Sequence, residues 1–331
     1  MRKDTRHNYK KPRKRPVEKR KFYTKENIFI SRLASILKMP KWKIKPLFSQ
    51  RAITTIRLNS LKGDPKKTKK LLEKRGYELE PVKWAKDVYF VLNKDKKEVS
   101  KIREYEDGLF YIQNLSSILA ALVLEPEQND KVLDMCAAPG SKTTHIAQLT
   151  NNKAEIVAND SEVQRLGSLQ NVLYQFGARS AKTALNDGEV FGSKYPNMFD
   201  KILLDAPCSG EGMIYFPGEK PLRFWSIKKI KASAYTQRKL IESAFKSLKP
   251  GGTLVYSTCT LEPEENEGVV THLLNSFTNA KLEDINIDVN AEQGIQRWSG
   301  NSYHRDIDKT IRILPSPEMM GFYIAKIKKV S

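Results

Sequence analysis

Cysteine, histidine and long apolar runs are all scarce in this chain. Three cysteines, Cys136, Cys208 and Cys259, stand far apart among 331 residues with no CxxC pair. That excludes a disulfide-framed secreted module and points to a reducing compartment, the cytoplasm. Four scattered histidines offer no zinc-ligand spacing, so no metal is expected. The longest apolar run, Ile118–Leu124, falls far short of the roughly 20 residues a membrane helix needs. Ile28–Leu37 is also short and is interrupted by Arg32, so it reads neither as a signal core nor as a span. The chain lacks both the GxGxxG fingerprint and the Walker pattern, which disfavours a nicotinamide or a triphosphate.

Positive charge is abundant. The formal net charge is +20 and the isoelectric point about 9.6. Such a surface attracts polyanions, of which nucleic acid is the commonest. The charge is clustered. Residues 1–21 carry eleven Lys or Arg against Asp4 and Glu18 and read as a basic, disordered arm. Residues 22–110 read as a small α+β module for RNA binding, with helices over Ile28–Leu37 and the lysine-rich Pro65–Lys74, and strands over Thr54–Asn59 and Val88–Leu92.

From residue 111 to 331 strands alternate with helices, the pattern of a doubly wound, mostly parallel α/β sheet of Rossmann-like class. The expected strands are Lys131–Cys136, Glu155–Asn159, Ala181–Ala184, Lys201–Asp205 and Thr253–Ser257, with helices over Lys142–Leu149, Glu162–Phe176 and Ala232–Leu248. Late strands near Leu282–Ile287 and Phe322–Ile327 are expected to close the sheet with an antiparallel pair.

Ligands of such sheets sit at the carboxyl ends of the strands. VLDMCAAPGSKTT (Val132–Thr144) is a strand, a turn of small residues and a helix start. Ala137, Ala138, Gly140 and Ser141 permit close approach of a ligand to the backbone, and the helix start offers free N–H groups. Asp160 ends the second strand, where a carboxylate suits ribose hydroxyls, and Asp187 follows the third, on the adenine side. DAPCSGEG (Asp205–Gly212) and STCTLEPEENE (Ser257–Glu267) each set a cysteine at the end of an apolar strand. Two thiols converging on one crevice suggest covalent chemistry. Cys136, at the end of a core strand, is expected to be inert.

CAAPGSK (Cys136–Lys142), DAPCSGEG and STCTLEPEENE, together with GLFYIQNLSS (Gly108–Ser117), LKPGGTLVYSTCT (Leu248–Thr260) and GFYIAKIKK (Gly321–Lys329), resemble the Sun-type RNA cytosine-5 methyltransferases, the RsmB and RsmF group. The resemblance covers roughly residues 50–330. It departs at Ser141, where a second glycine is usual, and that adds only a small hydroxyl. The resemblance implies a class I methyltransferase domain over 111–331 and S-adenosylmethionine as cofactor. The cofactor would be held by Cys136, Ala137, Ala138, Pro139, Gly140, Ser141, Lys142, Asp160, Asp187 and Asp205. It further implies Cys259 as the nucleophile, Cys208 as the residue that releases product, Asp205 as a hydrogen-bond partner of the base, and Lys142 as the residue holding Asp205 or the cytosine. The implied substrate is RNA, with 16S rRNA or the small ribosomal subunit favoured and tRNA the alternative. The protein is expected to act as a monomer. A reversed pair, with Pro207-Cys208 supplying the nucleophile, and an idle RNA-binding assembly factor both stay open.

A helix beginning at Pro263 is expected to put its amino terminus near Cys259. Glu262, Glu264, Glu265 and Glu267 are expected to face outward or cap that helix. Between Lys220 and Lys239, seven Lys or Arg and no acid are interleaved with Phe224, Trp225 and Tyr235. That mixture suits single-stranded or flipped-out nucleotides. Trp225 reads equally well as core.

Overall fold

The computed structural model describes residues 24–331. The basic arm expected over 1–21 lies outside the described residues.

Two helices open the described chain, α1 (Lys25–Ile36) and α2 (Lys41–Leu47). A four-stranded antiparallel sheet follows, built from β1 (Thr54–Leu58), β2 (Leu79–Pro81), β3 (Val88–Val91) and β4 (Phe110–Ile112) in the order β2-β3-β1-β4. Helix α3 (Pro65–Lys74) covers it. Asp64 caps that helix by accepting from the Lys66 N–H at 2.8 Å, and Pro65 suits the first turn, where no N–H is needed. Two single-turn helices, α4 (Lys96–Val99) and α5 (Arg103–Glu106), lead into β4.

The larger part begins with α6 (Leu115–Leu124), buried nearly all round. It continues through β5 (Lys131–Asp134), α7 (Ser141–Leu149), β6 (Glu155–Asp160), α8 (Val163–Gln175), β7 (Ala181–Leu185), the short α9 (Phe191–Lys194), β8 (Phe199–Asp205), α10 (Ile227–Ser247), β9 (Leu248–Thr258) and α11 (Glu267–Ser276). Then come β10 (Ala280–Glu283), β11 (Glu292–Gln293), the hairpin β12 (Arg297–Trp298) and β13 (Asn301–Ser302), β14 (Ile311–Ile313) and β15 (Phe322–Lys329).

Strands β9-β8-β5-β6-β7 form a parallel core. β15 joins antiparallel to β9, β14 extends that side, and β10 pairs with β15. The expected antiparallel closure is therefore present. β5 runs to β6 on one side and neighbours β8 on the other, so the order reverses between β5 and β8. A crevice opens at such a switch point, outside the carboxyl ends of the strands. The loops carrying Cys136 and Cys208 flank it.

Several boundaries differ from the sequence expectation, and three of them have a clear local reason. β5 stops at Asp134 rather than Cys136, because the chain turns and the Ala137 N–H bonds the Asn159 carbonyl at 2.7 Å. α10 starts at Ile227 rather than Ala232, since the Ser226 hydroxyl accepts from the Lys229 N–H at 3.1 Å and caps it there. The helix expected from Pro263 starts only at Glu267, because Asn266, at φ −112° and ψ −97°, is not helical.

The two halves are locked together by Arg57 of β1. Its guanidinium is fully buried and donates to Gln113 Oε1 (2.9 Å), Thr144 Oγ1 (3.0 Å) and Gln148 Oε1. Gln113 in turn donates to the Ser141 carbonyl at 3.1 Å. Burial with only neutral partners lowers the Arg57 pKa to about 9. Helix α1 packs elsewhere. Phe29 and Leu33 share a core with Leu222, Trp225 and Leu261 of the larger part, which lays the helix over the segments that follow both crevice cysteines.

Candidate active site

The loop after β5 is shaped by small residues. Gly140 sits at φ +111°, a conformation a side chain would strain, and serves as the N-cap of α7 with no side-chain cap bond. Ala137 and Ala138 are buried, Pro139 is exposed, Ser141 is half-buried, and the half-buried Cys136 packs on the sheet core. Burial pushes the Cys136 thiol well up, which fits its expected inertness.

Asn159, absent from the sequence reading, ties three strand ends together. Its Nδ2 donates to the carbonyls of Met135 and Asn186, both at 3.0 Å, and its Oδ1 accepts from the Asn186 N–H at 3.0 Å. Asp160 follows it. The Asp160 carboxylate is buried, accepts from the N–H groups of Ala138 and Glu162 (both 3.2 Å), and lies 3.3 Å from Arg165. Arg165 also donates to the Ala138 carbonyl at 2.7 Å. Asp187 is exposed beyond β7 and caps the next turn by accepting from Glu189 N–H at 3.0 Å.

Asp134, at the end of β5, accepts from Thr143 Oγ1 at 2.6 Å through one oxygen, while the other is buried without a partner. Burial raises its pKa to about 7. Asp134, Asp160, Asp187 and Asp205 therefore stand at four neighbouring strand ends. This donor set fits S-adenosylmethionine, a ligand with ribose hydroxyls, an ammonium and a positively charged sulfur.

Across the crevice, Lys142 Nζ lies 2.6 Å from Asp205 Oδ2 and donates to Ser117 Oγ at 3.2 Å. Ser257 Oγ donates to the other Asp205 oxygen at 2.8 Å. The carboxylate is thus fixed from two sides. The Cys208 and Cys259 sulfurs stand 2.8 Å apart, as free thiols sharing a hydrogen bond. That bond, together with burial and the charge a Cys259 thiolate would carry, pushes the Cys208 thiol well up. The two loops are also joined through the backbone, since the Gly212 N–H donates to the Cys259 carbonyl at 3.0 Å. A Cβ on Gly212 would collide with the Gly321 backbone, which explains glycine there.

The glutamates after Cys259 do not face outward as expected. Glu262, Glu265 and Glu267 are fully buried, and only Glu264 is partly exposed. Each buried one has partners distant in sequence. Arg312 pairs with Glu267 at 2.9 Å and donates to the Leu261 carbonyl at 2.7 Å. Arg32 pairs with Glu262 and Glu264, both at 2.6 Å. Glu265 accepts from the Ser209 N–H (3.0 Å), the Ser209 hydroxyl and Gln237 Nε2 (2.8 Å). No helix terminus acts on Cys259, because α11 begins eight residues later.

Burial raises the Glu265 pKa to about 7. The folded protein keeps this proton, while the unfolded chain releases it above about pH 4.5. Stability is therefore expected to fall as pH rises from about 4.5 to 7, by about 3 kcal/mol from this carboxyl, and then to level off. Asp134 adds a loss of the same sign. Thermal melts of the wild type and Glu265→Gln at pH 5 and pH 7.5 check this: the variant should lose part of the slope, and parallel curves would contradict it.

A cavity of about 350 Å³ adjoins Cys208 and is lined by Met213, Tyr215, Lys220, Phe224 and Lys229 among others. Phe224 and Tyr235 are exposed beside Arg223 and Lys239, whereas Trp225 is core and donates to Glu211 at 3.0 Å. Of the three interleaved aromatics, two thus remain available to a nucleic acid. Among the described residues no helix is long and apolar enough to cross a membrane, and no group of side chains could hold a metal ion.

Residues 121–328 match the family described as 16S rRNA methyltransferase RsmB/F, and residues 26–115 match the N-terminal domain of 16S rRNA methyltransferase RsmF. The chain belongs to the RsmB/F methyltransferase family. The tRNA (cytosine(49)-C(5))-methyltransferase of Pyrococcus abyssi is 44% identical over 276 residues, 83% of this chain and 88% of that one. Ribosomal RNA small subunit methyltransferase F of Vibrio vulnificus is 39% identical over 281 residues, 84% of this chain but 58% of that one. The chain thus spans under two thirds of the RsmF-named relative. Among solved structures, a methyltransferase homolog protein from Pyrococcus horikoshii superposes with a TM-score of 0.81 at 33% identity, covering 94% of this chain and 97% of the other. NSun6 from the same organism, solved with SFG, superposes with a TM-score of 0.74 at 28% identity, covering 92% and 97%.

Proposed function

We propose that this RsmB/F family member transfers a methyl group from S-adenosylmethionine to carbon 5 of a cytidine in RNA. The observation that carries the proposal is the pair of free thiols, 2.8 Å apart, beside the Lys142–Asp205 ion pair at the switch-point crevice. A small-molecule methyltransferase would need neither the paired thiols nor the basic, aromatic surface.

When bound, S-adenosylmethionine supplies an electrophilic methyl group. The protein's part is to make carbon 5 of cytosine nucleophilic. Cys259 gives up its thiol proton to solvent, its Sγ adds to carbon 6, and the electron pair of the 5,6 double bond becomes available at carbon 5. Negative charge then develops toward ring nitrogen 3. Asp205, 2.6 Å from Lys142 Nζ, would hydrogen-bond that edge and pass a proton to the ring.

Once carbon 5 has been alkylated, its proton must leave. The high Cys208 pKa arises first from Cys259, through their hydrogen bond. When Cys259 becomes a thioether that cause disappears, and Cys208 can ionise and take the proton. The carbon 5–hydrogen electron pair re-forms the double bond, Cys259 leaves as thiolate, and ring nitrogen 3 returns its proton to Asp205. The choice of Cys259 as the nucleophile rests on the resemblance of STCTLEPEENE to the Sun-type enzymes.

The leading substrate is 16S rRNA, which rests on the matches to RsmB/F and to the RsmF N-terminal domain. Transfer RNA is the second reading, favoured by a tRNA-modifying relative that aligns along 88% of its own length. Tritiated methyl transfer onto 16S rRNA, small subunits and tRNA in parallel separates them. Label recovered as 5-methylcytidine in one pool names the substrate. Absence of label from all pools, with cofactor still binding, would turn the reading toward an idle assembly factor.

The target base must leave its stack to reach the thiol, and the exposed Phe224 and Tyr235 are available to stack its neighbours. Phe224→Ala is expected to weaken RNA binding about 5–100-fold, the range of one lost base–aromatic stack. Filter binding at two salt concentrations checks this: the salt slope should stay unchanged, because no cation is removed. A changed slope, or unchanged affinity, would remove Phe224 from the RNA surface.

A further inference from the structure

Behind the two thiols lies a buried group of carboxyls that the reaction above does not use. Glu211 follows Cys208 by three residues, and Glu262 follows Cys259 by three; both are fully buried. Glu211 accepts from Trp225 Nε1 (3.0 Å) and the Thr260 hydroxyl, and lies 2.9 Å from Ser209 Oγ. Glu262 Oε2 accepts from Arg32 Nε at 2.6 Å, while its Oε1 is buried with no N–H partner and meets Glu211. Two carboxyls in contact in a dry interior cannot both ionise. One proton is therefore shared; burial raises both groups, and the Arg32 cation offsets that rise on Glu262.

Thr260 and Ser209 complete the link, with their hydroxyls 3.2 Å apart. Every member lies on one of the two cysteine loops, except Arg32, Trp225 and Gln237. Arg32 comes from α1, 230 residues away in sequence from Glu262. It stacks 5.2 Å from the Trp298 ring and is 15% exposed. Among the described residues it is the one cation paired with Glu262 and Glu264. Lys25 donates instead to the Arg223 carbonyl at 3.2 Å, and the half-buried Lys229 lines the cavity beside Cys208. The nearby Glu267 is neutralised separately by Arg312.

We propose that Arg32 is a positioning residue for the thiol pair: by holding the charge of Glu262 it keeps the Glu211–Glu262 contact, and with it the spacing of Cys208 and Cys259, in the reactive arrangement. The helix carrying it is thereby part of the catalytic apparatus rather than only part of an RNA-binding extension. This inference rests on the methyltransferase reading above.

Removing the cation leaves a buried carboxylate uncompensated. It must then take a proton or move, and either response disturbs the loop three residues from Cys259. Arg32→Met is expected to lower kcat for methyl transfer about 30–100-fold with KM for RNA changed less than about 3-fold. Adding Glu262→Gln removes the stranded charge, so the Arg32→Met, Glu262→Gln double variant should recover to within about 5-fold of the wild type. Arg32→Lys, which keeps the cation, should stay within about 10-fold. A rise in KM with kcat intact would make Arg32 an RNA contact and overturn the proposal. A folded double variant no better than Arg32→Met would overturn it as well. If Arg32→Met does not fold, the double variant and Arg32→Lys decide: both active supports the proposal, and either one folded but as inactive as Cys259→Ala overturns it. The wild type runs in the same assay, so failure of the methyltransferase reading would appear there, as no transfer by the unaltered protein.

Discussion

Cys208→Ala is expected to accumulate an RNA–protein adduct that survives denaturation, while Cys259→Ala forms none. The two sulfurs are 2.8 Å apart, yet their environments differ. The hydrogen bond with Cys259, and then burial, hold the Cys208 thiol protonated. Without Cys208 the bond to carbon 6 can still form, but the proton on carbon 5 has no acceptor beside it and the enzyme stalls on its substrate. Both variants should lose at least about 10³-fold in turnover, the cost of removing one member of a group that acts as a unit. Gel analysis under denaturing conditions with labelled RNA separates them. Adduct formed by Cys259→Ala would reverse the two roles.

Asp205→Asn should cost about 10²–10⁴-fold in kcat, the range for a lost proton-transfer or charge-stabilising group. The substitution is nearly isosteric and can still accept from Ser257, now 2.8 Å from Asp205 Oδ1. It does remove the ion pair with Lys142. Lys142→Met strands the Asp205 carboxylate instead and should cost a comparable factor. Equilibrium binding of S-adenosylmethionine, measured by calorimetry, distinguishes chemistry from cofactor loss. A fall in kcat with cofactor affinity within about 5-fold supports the assigned role. Loss of cofactor binding equal to the loss of rate would make Asp205 a cofactor residue only.

The strand ends were readable from sequence because the physics that forms them is local. Short apolar runs such as Lys201–Asp205 are bounded by turn residues, and a parallel sheet gathers their carboxyl ends in one place. The helix of Pro65–Lys74 matches to the residue, since Asp64, Pro65 and Gly76 mark both ends. The glutamates after Cys259 could not be read this way. Four acids in six residues look like a solvated surface, and partners remote in sequence make their burial tolerable: the cations Arg32 and Arg312, and the neutral donors Ser209 and Gln237. Asn159 was missed for a related reason, because its three hydrogen bonds reach chain ends that meet only in the folded sheet. Trp225 lay in a stretch where the basic and aromatic pattern fits a nucleic-acid surface and a core equally. Helix α1 decided it, by placing Phe29 with its ring centroid 5.2 Å from the indole.

The most direct test of the covalent account is to map the residue that RNA becomes attached to. RNA carrying 5-fluorocytidine in place of cytidine has no proton to give up at carbon 5, so an adduct that reaches the alkylated stage cannot resolve. After incubation with S-adenosylmethionine and protease digestion, mass spectrometry should find the methylated nucleotide on the peptide containing Cys259. Attachment to the Cys208 peptide, or no adduct on an RNA that the enzyme methylates when it carries ordinary cytidine, would contradict the account.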